Sequence, residues 1–251
     1  GFLIGTILIK HIESNRTKPK HFLQFWIRRW LRTLPNYYLI LLINIGLAFF
    51  YKNEIPNQLY KYFFFLQNVF EEMPDFFTES WSLTIEEFAY LIGPILLMLF
   101  ALIFRKLNKW LFLLMTTLVI VYFIVNKLIF HYSHTNIPHD FNWSHSLRKV
   151  VFTRIDSIYF GFLGAFISYY YAKFWSKTKW FSFGFGSVLF LGLHYFIYKN
   201  QLQPNQFSFF FNVWYLPLVS ISILLFFPVF STWKTKQVNF LTKISLWSYS
   251  L

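Results

Sequence analysis

The sequence contains no cysteine among its 251 residues. This excludes disulfide bridges, catalytic thiols and thiolate metal ligands within it. Charged residues are also scarce: they make up 13% of the chain, whereas soluble domains carry about 25%. Hydrophobic residues account for 56% and aromatic residues for 25%, and the mean hydropathy is +0.44. This composition predicts an integral membrane protein surrounded by membrane lipid.

The charge that is present is mostly positive, with a formal net charge of +13. A basic excess of this size can indicate nucleic-acid binding. Here most of the excess lies in short connections between apolar segments, where Lys and Arg set the orientation of a chain in the membrane. We therefore expect no nucleic-acid partner.

Apolar segments recur along the whole chain. The hydrocarbon core of a bilayer takes about 20 residues of α-helix. Six segments meet or approach that length, at 33–51, 88–104, 110–130, 157–172, 180–198 and 211–230, and partial ones lie at 1–9 and 240–251. The sequence therefore predicts an all-α, polytopic transmembrane helix bundle with about six complete spans and two partial ones. We interpret residues 1–251 as a single membrane-embedded domain that is truncated at both ends.

Basic residues are unevenly divided between alternate connections. One set, formed by 10–32, 105–109, 173–179 and 231–243, holds 16 Lys and Arg, and the other, formed by 52–87, 127–156 and 199–210, holds seven. The second set also holds nine of the ten acids. Basic connections stay on the cytoplasmic side, which places the first set inside a cytoplasmic membrane. All charged residues are expected outside the cores of the spans.

Two adjacent acids, Glu86 and Glu87, precede the segment 88–104 in the stretch SWSLTIEEFAY. A helix that begins near Ser82 would use that residue as its N-cap. Both acids would then lie near the first turn, where the helix dipole favours negative charge. A capped helix start with solvated acids is one interpretation of this pattern.

The same stretch also fits a buried polar face. Leu83, Glu86, Glu87 and Tyr90 have the spacing of one helix face. Pro94 has no N–H to donate to the carbonyl of Tyr90, which leaves a free acceptor on that face. Ionisable groups inside a membrane usually face a bundle interior. The second interpretation is therefore an acid that points into a polar cavity.

Three arginines cluster in the stretch FLQFWIRRWLRTLP. Arg28, Arg29 and Arg32 occupy an arc of about 100° on a helix, and Trp26 and Trp30 flank them. An amphipathic interfacial helix would have this composition, with arginines at lipid headgroups and tryptophans in the aromatic belt. A phosphate-binding cluster would as well, because the planar guanidinium group suits phosphate oxygens. Both interpretations place the cluster at the inner face.

A further pair of charges, Arg154 and Asp156, opens the span near 157. Residues at i and i+2 point apart on a helix, so the two are expected to pair elsewhere. Asp156 could meet an arginine on another span, and Arg154 could meet Glu86 or Glu87.

Small residues follow at helical spacing in the same span, at Gly161, Gly164, Ala165 and Ser168. Such a stripe permits close contact between helices in lipid. We expect it to serve packing alone.

The histidines give no comparable signal. Four share one expected outer connection, His131, His134, His139 and His145. Their spacing matches no zinc pattern, and we predict no metal site. His194 is expected to be a hydrogen-bonded core residue, and His11 and His21 lie in the basic inner connection.

Five stretches together resemble the acyltransferase 3 family of integral membrane acyltransferases. GFLIGTIL is similar to its SGFLI helix, FWIRRWLRTLP to its F-x-x-R-R-x-x-R-I-x-P stretch, and SWSLTIEEFAY to its W-S-L-x-x-E-E-x-F-Y stretch. TRIDSIYFGFLGA resembles its R-x-D-x-x-x-x-G-x-x-x-A stretch, and LTKISLWSYSL the start of its LGKISYSLYL helix. The sequence departs from the family at Ala89 and Thr33, neither of which is a charged position.

The resemblance implies transfer of an acyl group, often acetyl, from acyl-CoA as cosubstrate to a hydroxyl of a cell-surface or lipid-linked carbohydrate acceptor. It implies that Arg29 and Arg32, with Arg28 adjacent, hold the phosphates of the donor. It also implies catalytic roles for Glu86 with Glu87 beside it, and for Arg154 and Asp156. The family's presumed catalytic histidine belongs to a first span that has no counterpart among these 251 residues. No permanently bound cofactor is expected.

Two other functions fit the residues. A transporter or flippase for a lipid-linked glycan also needs buried charges and many spans, although transporters often contain inverted repeats and no repeat is evident here. A structural membrane subunit without chemistry is the third alternative.

Overall fold

The computed structural model describes residues 1–51, 55–104, 107–133 and 142–233. These residues fold into α-helices joined by turns, and no β-strand is present among them. The expected partial span 240–251 lies outside the described residues.

Eleven α-helices follow one another along this described part of the chain. They are α1 (Phe2–Glu13), α2 (Pro19–Phe50), α3 (Tyr60–Phe63), α4 (Trp81–Phe104), α5 (Lys109–Ser133), α6 (Val151–Arg154), α7 (Asp156–Tyr170), α8 (Ala172–Lys177), α9 (Lys179–Lys199), α10 (Leu216–Leu224) and α11 (Phe227–Thr232). A 3-10 turn, Thr78–Ser80, leads into α4, and π-helical turns occupy Ser144–Arg148 and Phe210–Tyr215.

Six helical segments are long and apolar enough to cross a membrane. They are Pro19–Phe50, Thr78–Phe104, Lys109–Ser133, Val151–Tyr170, Lys179–Lys199 and Phe210–Thr232. The predicted all-α polytopic bundle with six complete spans is thereby confirmed. The predicted starts are wrong for the segments at 33, 88 and 157, because each helical segment begins earlier and includes the polar residues before the apolar run.

These longer helices contain charged residues that the sequence assigned to connections; the expectation that these charges lie outside the cores of the spans stays a prediction. The three arginines at 28, 29 and 32 lie within α2, and Glu86 and Glu87 lie within α4. Lys127 lies within α5, not in an outer connection. A hydropathy pattern ends a span where charge begins, whereas a helix continues as long as its charged side chains find partners or a polar cavity.

Helix α2 is unusually long and begins at a proline. Pro19 occupies the first helical turn, where its missing N–H is not needed. The helix continues through Pro35 to Phe50, 32 residues in all. At 1.5 Å per residue this is about 48 Å, longer than the hydrocarbon core of about 30 Å. Pro35 therefore does not start the span, and the arginine cluster belongs to the same rod as the apolar segment.

Helices α1 and α7 pack closely through small residues. A Cβ atom on Gly5 would lie 2.9 Å from Phe162 Cα and 2.9 Å from Ala165 Cβ, and one on Gly161 would lie 2.6 Å from the backbone nitrogen of Phe2. Ala165 itself is fully buried. The predicted packing role of the small-residue stripe is confirmed at Gly161 and Ala165. This contact places α1 beside α2 and α4, where the main cavity lies.

The segment before α4 is held against the bundle by side-chain hydrogen bonds to backbone carbonyls. Tyr37 and Tyr38 of α2 donate to the carbonyls of Tyr62 and Phe63 at 2.7 and 2.9 Å. Gln67 donates to Thr84 Oγ1 at 2.8 Å. These bonds fix the start of α4 relative to α2, and so fix the position of the two acids that follow it.

Candidate active site

One cavity of about 1030 Å³ runs along α2. Its α2 wall is a single helix face that includes His21, Arg28, Arg32 and Ile40. From residue 21 to residue 40 this face is about 28 Å long, close to the thickness of the hydrocarbon core. Helix α1 and the start of α4 form the other walls. The cavity is thus long enough to bring groups from both sides of a bilayer together.

An ion-pair cluster lies in the wall of this cavity and joins α2 to α4. The Arg29 Nη2 atom donates to Glu86 Oε2 at 3.1 Å, and its Nε lies 3.4 Å from Glu87 Oε1. The guanidinium carbon of Arg29 stacks 3.2 Å from the centre of the Tyr90 ring. Tyr90 also donates its hydroxyl to Glu86 Oε2 at 2.9 Å. One arginine thus holds both acids and the aromatic residue one turn further along α4.

The two flanking tryptophans take part in the same contact. The indole N–H of Trp30 donates to Glu87 Oε2 at 3.1 Å, and that of Trp26 donates to the carbonyl of Tyr90 at 3.1 Å. This carbonyl is the acceptor that Pro94 leaves without its helical donor. The free acceptor predicted from the sequence is therefore used for helix contact. The tryptophans serve as hydrogen-bond donors between helices, beyond the aromatic-belt role considered for them.

The two acids differ in exposure and therefore in what they can do. The Glu87 side chain is 8% exposed and is enclosed by Arg29, Trp30 and Thr33. The Glu86 side chain is 47% exposed and lines the cavity. A carboxylate buried among donors stabilises the fold, whereas one with free oxygen surface can also accept a hydrogen bond from a ligand.

The start of α4 corrects the predicted cap. The helix begins at Trp81 after a 3-10 turn, so Ser82 lies inside it and both acids lie beyond the first turn. The helix dipole acts mainly within the first turn. The acids are therefore held by Arg29, and the interpretation as solvated cap residues does not describe them.

The three arginines divide into two kinds. All three line the cavity, but Arg29 is partly buried against both acids, whereas Arg28 and Arg32 are exposed. The sequence placed arginines and acids at opposite faces of the membrane. The direct contact between Arg29 and Glu86 places them at the same depth, which corrects that expectation.

The residues Arg154 and Asp156 belong to a different cluster. Asp156 is 1% exposed and accepts a hydrogen bond from Lys127 of α5, whose side chain is fully buried. The sequence suggested an arginine on another span as the partner of Asp156, and this is wrong: the partner is Lys127. Arg154 lies close enough to Asp156 to interact with it electrostatically, although the two were expected to point apart. Neither residue is part of the cavity wall formed by α1, α2 and α4.

Several residues of these sites carried no usable sequence signal. Arg16, His11 and His21 all line the cavity, and isolated basic residues of a polar connection give no pattern that separates them from their neighbours. Lys127 falls inside the predicted segment 110–130 but was counted with the connection 127–156, because charged residues were expected outside the cores of the spans. The residues three and four positions away on its helix face are mostly apolar. A lysine on such a face would have indicated a buried, paired charge.

Potential metal ligands do not converge in the part of the chain that the structure describes. No group of three or more His, Asp or Glu side chains there is placed to hold a metal ion. His131 stacks edge-on against Phe209, and His145 hydrogen-bonds the carbonyl of Met73. His134 and His139 lie outside the described residues.

Comparison with known proteins agrees with the motifs. A family model described as an acyltransferase domain matches residues 1–251, the whole chain. The peptidoglycan O-acetyltransferase OatA of Listeria monocytogenes is 32% identical over 115 residues, which are 40% of this chain and 18% of that protein. The chain therefore spans only a small part of that relative's length. No solved structure matches the chain. Because the family model matches the whole chain, and because the arginine stretch of α2 and the acid stretch of α4 line one cavity, the chain belongs to the acyltransferase 3 family.

Proposed function

We propose that this protein transfers an acyl group, most simply acetyl, from acyl-CoA to a hydroxyl of a cell-surface or lipid-linked carbohydrate. The observation that carries the proposal is the single cavity, which exposes Arg28 and Arg32 on one wall and Glu86 on another. The similarity to a protein named peptidoglycan O-acetyltransferase supports acetyl as the group and a cell-envelope carbohydrate as the acceptor.

The donor is proposed to bind through its phosphates to Arg28 and Arg32. Both guanidinium groups lie on the cavity face of α2 and are exposed, and such groups bind phosphate oxygens in pairs of charge-assisted hydrogen bonds. Arg29 is assigned a different task, because Glu86 and Glu87 occupy it. It holds Glu86 in place at the cavity wall. The excess of basic residues near α1 and the start of α2 supports entry of the donor from the cytoplasm.

The acceptor is proposed to reach Glu86 from the outer side. Its hydroxyl oxygen attacks the thioester carbonyl carbon, a C–O bond forms, and the C–S bond breaks as the coenzyme A thiolate leaves. A base takes the hydroxyl proton, a step worth roughly 10²–10⁴ in rate. The family resemblance assigns that step to a histidine of the family's first span. Glu86 has free oxygen surface in the cavity with which to orient that histidine or the acceptor hydroxyl.

Transfer can be tested with full-length protein in membranes supplied with radiolabelled acetyl-CoA and an isolated cell-wall glycan. We expect label in the glycan. We expect Glu86→Gln to lower the rate by about 10²-fold, the size of a lost positioning or proton-transfer contact, and Arg32→Ala to raise the Kd for acetyl-CoA. Lys177→Ala, an exposed residue of α8 outside the cavity, is the matched control. Glycan that is exported but unlabelled would instead identify a transporter.

A further inference from the structure

The cavity continues beyond the arginine cluster to a second group of basic side chains. His11 lies in the last turn of α1, His21 in the first turn of α2, and Arg16 in the turn that joins the helices. All three line the cavity together with Arg28. His21 and Arg28 are seven residues apart on α2, or about 10 Å along its axis. The group formed by His11, Arg16 and His21 and the arginine cluster therefore lie at different positions along the same cavity wall.

The fold holds these three side chains close together. The backbone N–H of Arg16 donates to the carbonyl of His11 at 2.8 Å, which turns the connection back over the end of α1. The His11 ring stacks 5.7 Å from the ring of Phe22, the neighbour of His21. His11 interacts electrostatically with both His21 and Arg16. Three basic groups therefore converge, and no acid of the described ranges lies between them.

The sequence supplies no counter-charge nearby except Glu13, the one acid among residues 1–32. Glu13 is exposed and accepts a hydrogen bond from Tyr170 of α7. The acids that line the cavity, Glu79 and Glu86, both belong to the segment around the start of α4. Among the described residues no acid is therefore placed to balance the basic group, which leaves this role to a solvent anion or a ligand.

Two buried nitrogen atoms support a ligand. The Nδ1 atoms of His11 and His21 are both buried and have no hydrogen-bond partner among the described residues. Buried polar atoms are normally paired with protein or ordered water. Burial lowers the pKa of His11, with His21 and Arg16 adding to the effect, and a bound anion would reverse it. Such a site favours a compact anion with several acceptor oxygens.

We propose that His11, Arg16 and His21 bind a phosphate monoester that is separate from the phosphates held by Arg28 and Arg32. Coenzyme A carries such a group, a 3′-phosphate apart from its diphosphate. This assignment rests on the proposed function and deepens it: the second basic group recognises the nucleotide end of the donor. A phospholipid headgroup offers the same chemistry, and the test separates the two sources.

The test compares coenzyme A with 3′-dephospho-coenzyme A on the purified full-length protein in a maltoside detergent that contains no phosphate. We expect the native protein to bind the dephospho form about tenfold more weakly or worse, the loss typical of charged hydrogen bonds. The double variant His11→Gln/His21→Gln and the single variant Arg16→Gln are expected to bind both compounds with the weaker affinity. Lys20→Gln removes one basic charge from the same segment without touching the cavity and is expected to retain the tenfold preference.

Each outcome decides the assignment. Equal binding of the two compounds by the native protein, or a preference that persists in the variants, overturns the second site and leaves the proposed function intact. Binding of neither compound overturns both. If the variants lose binding of phosphatidic acid but keep the preference for coenzyme A, the site belongs to lipid and the donor assignment is overturned. The variant His21→Lys places a basic group at the same position and is expected to keep the preference, which separates a lost basic group from lost folding.

Discussion

Arg29 contacts two carboxylates and one aromatic ring at the same time. Its guanidinium group donates to Glu86, lies beside Glu87 and stacks on Tyr90. A planar fork can satisfy such a set of partners, whereas the compact ammonium group of lysine cannot. The residue thereby sets the orientation of Glu86, the acid that faces the cavity. We propose that its contribution is to hold the site together, and donor binding by Arg29 itself stays a prediction.

The substitution Arg29→Lys tests whether the planar, forked shape of the guanidinium group is needed to hold both carboxylates. Lysine keeps the charge but reaches one carboxylate well and leaves the other without a charged partner. We expect a loss of about 1.5–3 kcal/mol, the value of a charged hydrogen bond, measured as the free energy of unfolding in mixed micelles. The adjacent Arg28→Lys, at an exposed position, is expected to change this free energy by less than about 0.5 kcal/mol. Equal effects of the two substitutions would show that the fork is not needed.

The sequence predicts which residues are polar and buried better than it predicts their partners. The spacing of Glu86 and Tyr90 indicated a face, and both residues do line the cavity. The spacing could not show that Arg29 would occupy both acids, because that contact joins residues 57 positions apart. It also gave His11 and His21 no distinction, since their role depends on how the turn between two helices folds. Contacts across helices follow from tertiary packing, and a single sequence does not encode them as a pattern.

At the scale of the helices, α5 and α7 are joined by a buried ion pair. Lys127 and Asp156 are 0% and 1% exposed and contact each other directly. Isolated charges in such a place are very costly, and pairing reduces the cost without removing it. The pair therefore fixes how the two helices meet more than it adds to their affinity. The family resemblance implies a catalytic role for Asp156, and that role stays a prediction.

A double-mutant cycle separates these two roles of the pair. Lys127→Met or Asp156→Leu alone leaves one buried charge without its partner, and each is expected to cost about 3–5 kcal/mol of unfolding free energy. The combined variant replaces both charges by apolar groups and is expected to be close to the native stability. Transfer of labelled acetyl by the combined variant then tests catalysis: loss of activity in a stable protein supports the catalytic role. Additive losses in the double variant would contradict the structural coupling.

Helix existence was predictable from the sequence, and helix length was not. Hydropathy located all six segments because twenty or so apolar residues have few other uses. It placed the start of the first complete span at 33, whereas α2 begins at Pro19. The additional residues carry the arginine cluster, in which Arg29 pairs with the acids of α4 and Arg28 and Arg32 face the cavity. A hydropathy profile averages the values of neighbouring residues in the sequence. It therefore contains no information about partners on another helix.

For the molecule as a whole, the cavity along α2 is electrically asymmetric. Basic residues from the end of α1 to the middle of α2 line one part, and the acids Glu79 and Glu86 line the part formed by the start of α4. An anionic donor would therefore favour the part near His21, and the acceptor would reach Glu86 where basic and acidic side chains meet. This arrangement requires the cavity wall of α2 to be in water along its length while the adjacent face of the helix meets lipid.

The water-filled wall can be tested by cysteine labelling, because these 251 residues contain no cysteine. Gln24 and Ile40 line the cavity towards opposite ends of α2. Their chain neighbours Leu23 and Leu39 are 51% and 57% exposed but do not line it, so on a membrane-spanning helix they are expected to face lipid. A membrane-impermeant maleimide should react with Gln24→Cys and Ile40→Cys in opened membranes, and much more slowly with Leu23→Cys and Leu39→Cys. In intact cells only Ile40→Cys should react, since the basic end is expected to face the cytoplasm. Equal reaction within each neighbouring pair would show that α2 has no water-filled face, and the shared cavity would then no longer explain how donor and acceptor meet.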